Sequence, residues 1–319
     1  MKRLSICCIL LIATFIPVGQ CADRRMLTQT TYTKYFAIHH YSDMDSQARV
    51  IGEACDGWYE DISKKLHLNS PPRARIPVYL YRNQQDFSKY TGRDKPGETL
   101  GRASSLGVIE LDGSGAYKPV ELVAGHEIVH VIIFRLLGPN FDRLPLWMHE
   151  GTARYLTGDW DMADRMILAD AAVKNNIIPF SNLTKTFPTG VKSGLAYAQS
   201  ASAVRYLAKN YGETSLSKII IETRQLRSFK DAMVRATGLT PEQFEENWRK
   251  SEASTFLPIW VIKTASVLGA ALLLLIALAA YIAVVRRKQR IIREYEDDVW
   301  NYAIMEDLES LLRKDEEEE

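Results

Sequence analysis

The chain has 319 residues, 46% of them hydrophobic and 25% charged, and its 40 lysines and arginines almost balance 39 aspartates and glutamates, for a formal charge of +1. This composition excludes a disordered or fibrous chain and leaves room for one sizeable domain or two small ones. A charge so close to zero creates no bulk field for nucleic acid, and no nucleic-acid partner is expected; ligands must be recognised by local chemistry.

The chain opens with "MKRLSICCILLIATFIPVGQCADRR": Lys2 and Arg3, an apolar stretch from Leu4 to Val18, then small and polar residues before Asp23 and Arg24. This order predicts a secretory signal peptide over residues 1–21, cleaved near Gly19 to Ala22. An uncleaved anchor is the alternative, but the apolar stretch is short for a span. A lipid anchor on Cys21 is disfavoured because Gln20 is larger than the small residue such sites take. Of the four cysteines, only Cys55 lies beyond this segment. The exported domain therefore has no disulfide framework and must be held by its core.

"TTYTKYFAIHHY" alternates and is rich in β-branched and aromatic residues, which predicts a strand near residues 31–41. A helix follows from about Ser46 to Leu66 and ends before Pro71 and Pro72. "RIPVYLYRN" predicts a second strand, "QQDFSKYTG" a short helix closed by Gly92, and "LGVIELDGSG" a further strand ended by Gly113 and Gly115. From Pro145 onward nearly every segment has helical periodicity, up to "TPEQFEENWRKSEA" with Thr240 as N-cap and Pro241 in the first turn. Strands early and helices late make an α+β domain, with a small N-terminal sheet and a helical C-terminal part. No internal repeat is visible.

Between the strands and the later helices lies "YKPVELVAGHEIVHVIIFRLLGP", an apolar helix ended by Gly138-Pro139 that carries two histidines and a glutamate in its most apolar part. Positions four apart share a helix face, so His126 and His130 present their imidazoles to one point, and Glu127 can reach a group bound there. This is the arrangement of zinc hydrolases. Zinc in a catalytic site takes three protein ligands and keeps a fourth position open. Glu150, in "WMHEGTARY", can supply the third, because the Gly138-Pro139 break lets the chain reverse and Gly151 permits a close helix approach. His149 competes with it, but adjacent helical residues point about 100° apart, and a solvated or supporting role is expected for it. His39, His40 and His67 have no ligand-like spacing. Unpaired, each of these buried polar groups would cost roughly 1–3 kcal/mol; a bound divalent cation removes that cost.

"HEIVH", followed after nineteen residues by the glutamate of "WMHEGTARY", resembles the gluzincin zinc metallopeptidases, the thermolysin and M1-type superfamily. More narrowly, Trp147, Glu150, Gly151, Ala153 and Tyr155 are similar to the pattern of peptidase MA-like domains, and "AYAQSASAVRYLAKNYG" to that family's next helix. The resemblance covers roughly residues 75–250. It implies one Zn2+ held by His126, His130 and Glu150, with Glu127 as the general base that activates a water to hydrolyse a peptide bond. It also implies a second electrophile, for which Tyr197 is the candidate, with a packed helix-face aromatic as the plainer reading. Thermolysin-like enzymes place an acidic residue four after the third ligand to orient a zinc histidine; here Arg154 stands there. In such folds an edge strand before the metal helix pairs with substrate, a place that "GVIELDG" occupies in order, although it can equally be a core strand.

"TASVLGAALLLLIALAAYIAVV", Thr264 to Val285, has no charge and would span about 33 Å as a helix, matching a hydrocarbon core. Arg286, Arg287, Lys288, Arg290 and Arg293 follow at once, so that side is expected in the cytoplasm. The expected organisation is a signal peptide at 1–21, an extracytoplasmic metallopeptidase domain at 22–257, a transmembrane helix at 264–285 and an acidic cytoplasmic tail at 286–319. In the tail, Trp300, Ile304, Leu308, Leu311 and Leu312 recur at helical spacing, which fits a partner helix or a solvated amphipathic tail. The function this supports is a membrane-anchored zinc metallopeptidase acting on peptide or protein substrates outside the cytoplasm. The alternative is a catalytically silent, metal-stabilised sensor domain signalling through its span and tail.

Overall fold

A computed structural model describes residues 27–91, 99–104 and 106–317, so the expected signal peptide lies outside the described residues. The chain divides into two compact units, Met1–Trp260 and Val261–Glu319.

The first unit begins with β1 (Gln29–Tyr32) and β2 (Phe36–His40). The single strand expected at 31–41 is thus a hairpin, with Gln29 opposite His40 and Tyr32 opposite Ala37. Nothing in "TYTKYF" is a strong turn signal, because the turn is held from elsewhere. Asp56, on helix α1 (Asp45–Lys65), accepts hydrogen bonds from the Lys34 N–H at 2.9 Å, the Tyr35 N–H at 3.0 Å and the Thr33 hydroxyl at 2.9 Å.

β3 (Ile76–Tyr81), α2 (Gln84–Thr91), β4 (Gly101–Ala103) and β5 (Ile109–Asp112) complete a five-stranded sheet of order β1-β2-β3-β5-β4. β2, β3 and β5 run parallel, with α1 crossing between β2 and β3; β4 is antiparallel to β5. The "GVIELDG" segment is therefore an inner strand, buried at all four positions from Ile109 to Asp112, and β4 is the edge.

α3 (Val120–Leu137) carries both histidines of "HEIVH" and packs on α1, β4 and β5 on one side and on α4 (Leu146–Thr157) and α7 (Thr214–Leu226) on the other. A helix enclosed in this way must be apolar around most of its circumference. Val123, Ile128, Val129, Val131, Ile132, Ile133 and Leu137 are accordingly all buried, each stabilising the fold by roughly 1.5–3 kcal/mol relative to exposure.

The remaining elements of this unit are α5 (Met162–Val173), α6 (Val191–Tyr211), α8 (Phe229–Thr237) and the start of α9 (Pro241–Glu317). α4 lies against α6 so closely that a Cβ at Gly151 would collide with the Ser200 carbonyl oxygen and stand 2.7 Å from a Val204 methyl. Trp147, one turn before Glu150, stacks on Phe180 at 4.3 Å, and Phe180 stacks on Trp248 of α9 at 5.0 Å. This aromatic cluster packs the first turn of α4 against α9.

In the second unit, α9 is helical to Glu317, and its segment Thr264–Arg293 is long and apolar enough to cross a membrane. Its leucines, Leu272 to Leu275 among them, are exposed.

Candidate metal centre

α3 and α4 are joined by a short reversal. Gly138 caps α3 at φ 57°, a 3-10 turn spans Gly138–Arg143, and Pro145 precedes α4. The reversal brings Glu150 back beside the two histidines. His126 and His130 lie with ring centres 4.9 Å apart, and Glu150 reaches between them: Oε2 stands 3.2 Å from His126 Nε2 and Oε1 3.7 Å from His130 Nε2. The three residues are buried and can present one ligand atom each within 4.8 Å of one another.

These distances have a simple reading. Two donors bound about 2.0–2.1 Å from one ion at the tetrahedral angle lie about 3.3 Å apart. The approach of His126 and Glu150 is not an ion pair of charged groups. Burial pushes the His126 imidazolium down to about 3, with Asp159 raising it and Lys118 and Arg154 lowering it. His130 is lowered well below 6.5 by burial and by the neighbouring His126 and His149. The Glu150 carboxyl is raised well above 4.5, by burial first and by the charge of Glu127 second, against the effect of Arg154. Neutral imidazoles are the form that ligates metal, and a cation bound beside this carboxyl would favour its ionised form.

The hydrogen-bond inventory agrees. His126 Nδ1, both nitrogens of His130 and Glu150 Oε1 are buried with no hydrogen-bond partner among the described residues. Orphaned polar atoms in a core are costly, and two of these, His130 Nε2 and Glu150 Oε1, face one another at 3.7 Å. A divalent cation among the two Nε2 atoms and the carboxylate would satisfy His130 Nε2 and Glu150 Oε1, so the residues present fit a metal. The buried group of His126, His130 and Glu150 could bind one.

Glu127 is fully buried on α3, and its carboxylate lies against the edge strand: a Cβ at Gly101 of β4 would stand 3.0 Å from Glu127 Oε1 and 2.7 Å from a Val123 methyl. His149 is buried, not solvated; its Nε2 donates to the Phe141 carbonyl at 3.2 Å, bracing the turn before α4, and burial lowers its pKa to about 4 against the effect of that carbonyl. Tyr197 is buried on α6, with its ring edge-on to Phe187 at 4.8 Å. His39 stacks on Tyr79 and His40 bonds Tyr41, both on the β1–β2 hairpin side of the sheet.

Arg154, one turn beyond Glu150, is buried in a charge network that the sequence did not reveal. It donates to Asp164 at 2.8 and 3.1 Å and to Asp159 at 3.2 Å, and Lys118 donates to Asp159 at 2.6 and 2.8 Å. Asp159 follows Gly158, which closes α4 in the left-handed region at φ 72°, while the Asp159 N–H bonds the Arg154 carbonyl. That termination turns the acid back toward the helix it has just left.

Residues 117–254, from the loop before α3 into α9, match the model of the family described as the Peptidase MA superfamily. The chain is also similar to "Uncharacterized protein YhcO" of Bacillus subtilis (strain 168), with 26% identity over 201 residues, covering 55% of this chain and 57% of that protein. The chain thus spans little more than half the length of this relative. No solved structure matches the chain significantly. The family match takes in α3 and α4 with all three residues of the buried group, and it supports a peptidase MA-like domain over this stretch.

Proposed function

We propose that this chain is a membrane-anchored, zinc-dependent metallopeptidase that hydrolyses peptide bonds outside the cytoplasm. The observation that carries the reading is the convergence of His126 Nε2, His130 Nε2 and the Glu150 carboxylate from two helices onto one buried point. Two imidazoles and one carboxylate are a donor set that suits zinc and leaves a position open for chemistry. A zinc ion held there would supply Lewis acidity, polarising the scissile carbonyl and lowering the pKa of a water to about 7.

The chain's own residues do the rest. His126, His130 and Glu150 hold the site, and their burial keeps bulk solvent from competing. Glu127, next to His126 on the same helix, takes the proton from the attacking water and delivers it to the leaving amine nitrogen. Gly101 keeps the edge strand close to that carboxylate without blocking it.

The anchoring part of the proposal rests on the apolar segment Thr264–Arg293, on the signal-like residues 1–21, and on the cationic run from Arg286 to Arg293, which favours a cytoplasmic assignment for that side. The tail beyond it is then cytoplasmic and available to a partner.

Metal analysis and cleavage of an unfolded protein, run on wild type and on Glu127→Gln, test the reading. Wild type should carry about one zinc and cleave; Glu127→Gln should keep the metal and lose cleavage. Equal cleavage by the variant would refute the role of Glu127, and absence of metal from wild type would refute the centre.

A further inference from the structure

Away from the buried group, α4, α5, α6 and the early turns of α9 line an open cleft of about 560 Å³, inside the range of about 300–1,000 Å³ typical of small-ligand sites. None of His126, Glu127, His130 and Glu150 lines it. Tyr155, the α4 contribution, lies five positions past Glu150 and so about 140° round the helix from it. Positions three and four apart share a helix face, and Ser202, Arg205, Tyr206 and Lys209 of α6 form one wall in this way. The floor is tied from α9: the Trp248 indole N–H donates to the buried Ser202 hydroxyl at 3.1 Å, and Glu252, one turn further along α9, lines the cleft. Coulomb attraction ordinarily draws opposite charges in one cleft into pairs. Here, among the described residues, Arg205, Lys209 and Glu252 form no ion pair; Arg205 lies instead over the Trp160 ring, 5.8 Å from its centre. Burial lifts the Glu252 carboxyl to about 7, against the effects of the Ser202 hydroxyl, Arg205 and Lys209. A ligand with a cation and an anion of its own satisfies both sides at once, whereas a simple anion meets Glu252 and a simple cation meets Arg205 and Lys209. A quaternary ammonium would bring no N–H for the Glu252 oxygens; a peptide amino terminus brings three.

We propose that this cleft binds a short peptide with free ends, its carboxylate held by Arg205 and Lys209, its ammonium by Glu252, and its apolar side chains by the faces of Tyr155, Trp160 and Tyr206. The site is separate from the metal centre and does not depend on it.

The test is a calorimetric titration of the full chain in detergent, kept free of metal by a chelator, so that neither cleavage nor binding to a metal contributes. The probes are alanylphenylalanine, its N-acetyl form, its C-terminal amide, and phosphocholine. The free dipeptide should bind, each cap should weaken it by about tenfold, and phosphocholine should bind more weakly than the dipeptide. The double variant Arg205→Gln with Lys209→Gln, both exposed on α6, should lose the preference for the carboxylate over the amide and keep that for the free amine. Glu252→Gln should do the opposite, a split that a general loss of stability would not produce. Failure of the dipeptide to bind at millimolar concentration, equal binding of free and capped forms, or tighter binding of phosphocholine overturns the assignment. If Glu252→Gln does not fold, the α6 double variant decides alone: an unchanged preference for the carboxylate refutes the site. None of these outcomes bears on the metal centre, which is tested separately by metal content.

Discussion

Glu127 and Gly101 are in contact across the gap between α3 and β4, so close that a single added carbon on the glycine would stand 3.0 Å from the Glu127 carboxylate oxygen and 2.7 Å from a Val123 methyl. The proposed general base is thereby packed against a backbone, from a strand that ends the sheet. Gly101→Ala should displace Glu127 while leaving His126, His130 and Glu150 in place. The expected result is normal zinc content, a kcat lowered by about tenfold or more with a smaller change in KM, and a stability loss of about 1–3 kcal/mol from overpacking. Steady-state kinetics with metal analysis check this; unchanged kcat would show that the contact does not hold the base.

Gly151 places the proposed third ligand, Glu150, in a comparable way. Its Cβ would meet the Ser200 carbonyl and a Val204 methyl of α6, neither of which can move far. Gly151→Ala should push α4 from α6, shift Glu150 and weaken zinc binding together with fold stability, the latter by about 1–3 kcal/mol. Chelator competition and thermal melts should fall in parallel, and a variant that melts early yet binds zinc normally would contradict this account.

Without metal, the site makes stability depend on pH in two directions. An unfolded imidazole takes a proton near 6.5, whereas burial holds His126 to about 3 and His149 to about 4 in the fold. Between those values the unfolded chain binds more protons, so stability rises with pH across that window and is lost as pH falls through it. Glu150 acts oppositely: its folded carboxyl, raised well above 4.5 by burial and then by Glu127, keeps a proton the unfolded chain has released, and that contribution is lost as pH rises. Zinc must displace this proton, so zinc affinity should increase with pH and metal should stabilise most on the alkaline side. Melting curves of loaded and chelated protein over about pH 4 to 8 would expose the effect; a gap between the two that does not vary with pH would argue against it.

Membrane sidedness is open to direct labelling. Tyr117, about half exposed in the first unit, and Glu317, at the end of α9, can each be replaced by cysteine. The one other cysteine among the described residues, Cys55, is buried. A membrane-impermeant thiol reagent applied to intact cells should label Tyr117→Cys and spare Glu317→Cys until the membrane is permeabilised. The reverse pattern would invert the proposed topology.

What was legible in the sequence was whatever depends on neighbours along the chain. The four-residue spacing of His126 and His130 puts both rings on one face of any helix, and a break at Gly138-Pro139 is enough to return Glu150 to them. The helices from α4 to α8 announced themselves through periodicity and caps for the same reason. Tertiary contact decided the rest. The β1–β2 turn exists because Asp56 of α1 gathers three donors from it, and β4, three residues long, is too short to carry an alternating pattern. The packing of Gly101 on Glu127 and the bridging of Lys118 and Arg154 by Asp159 join residues whose separation along the chain has no period. Spacing encodes which face a side chain occupies on its own element; which other element that face meets is set by how the whole core closes.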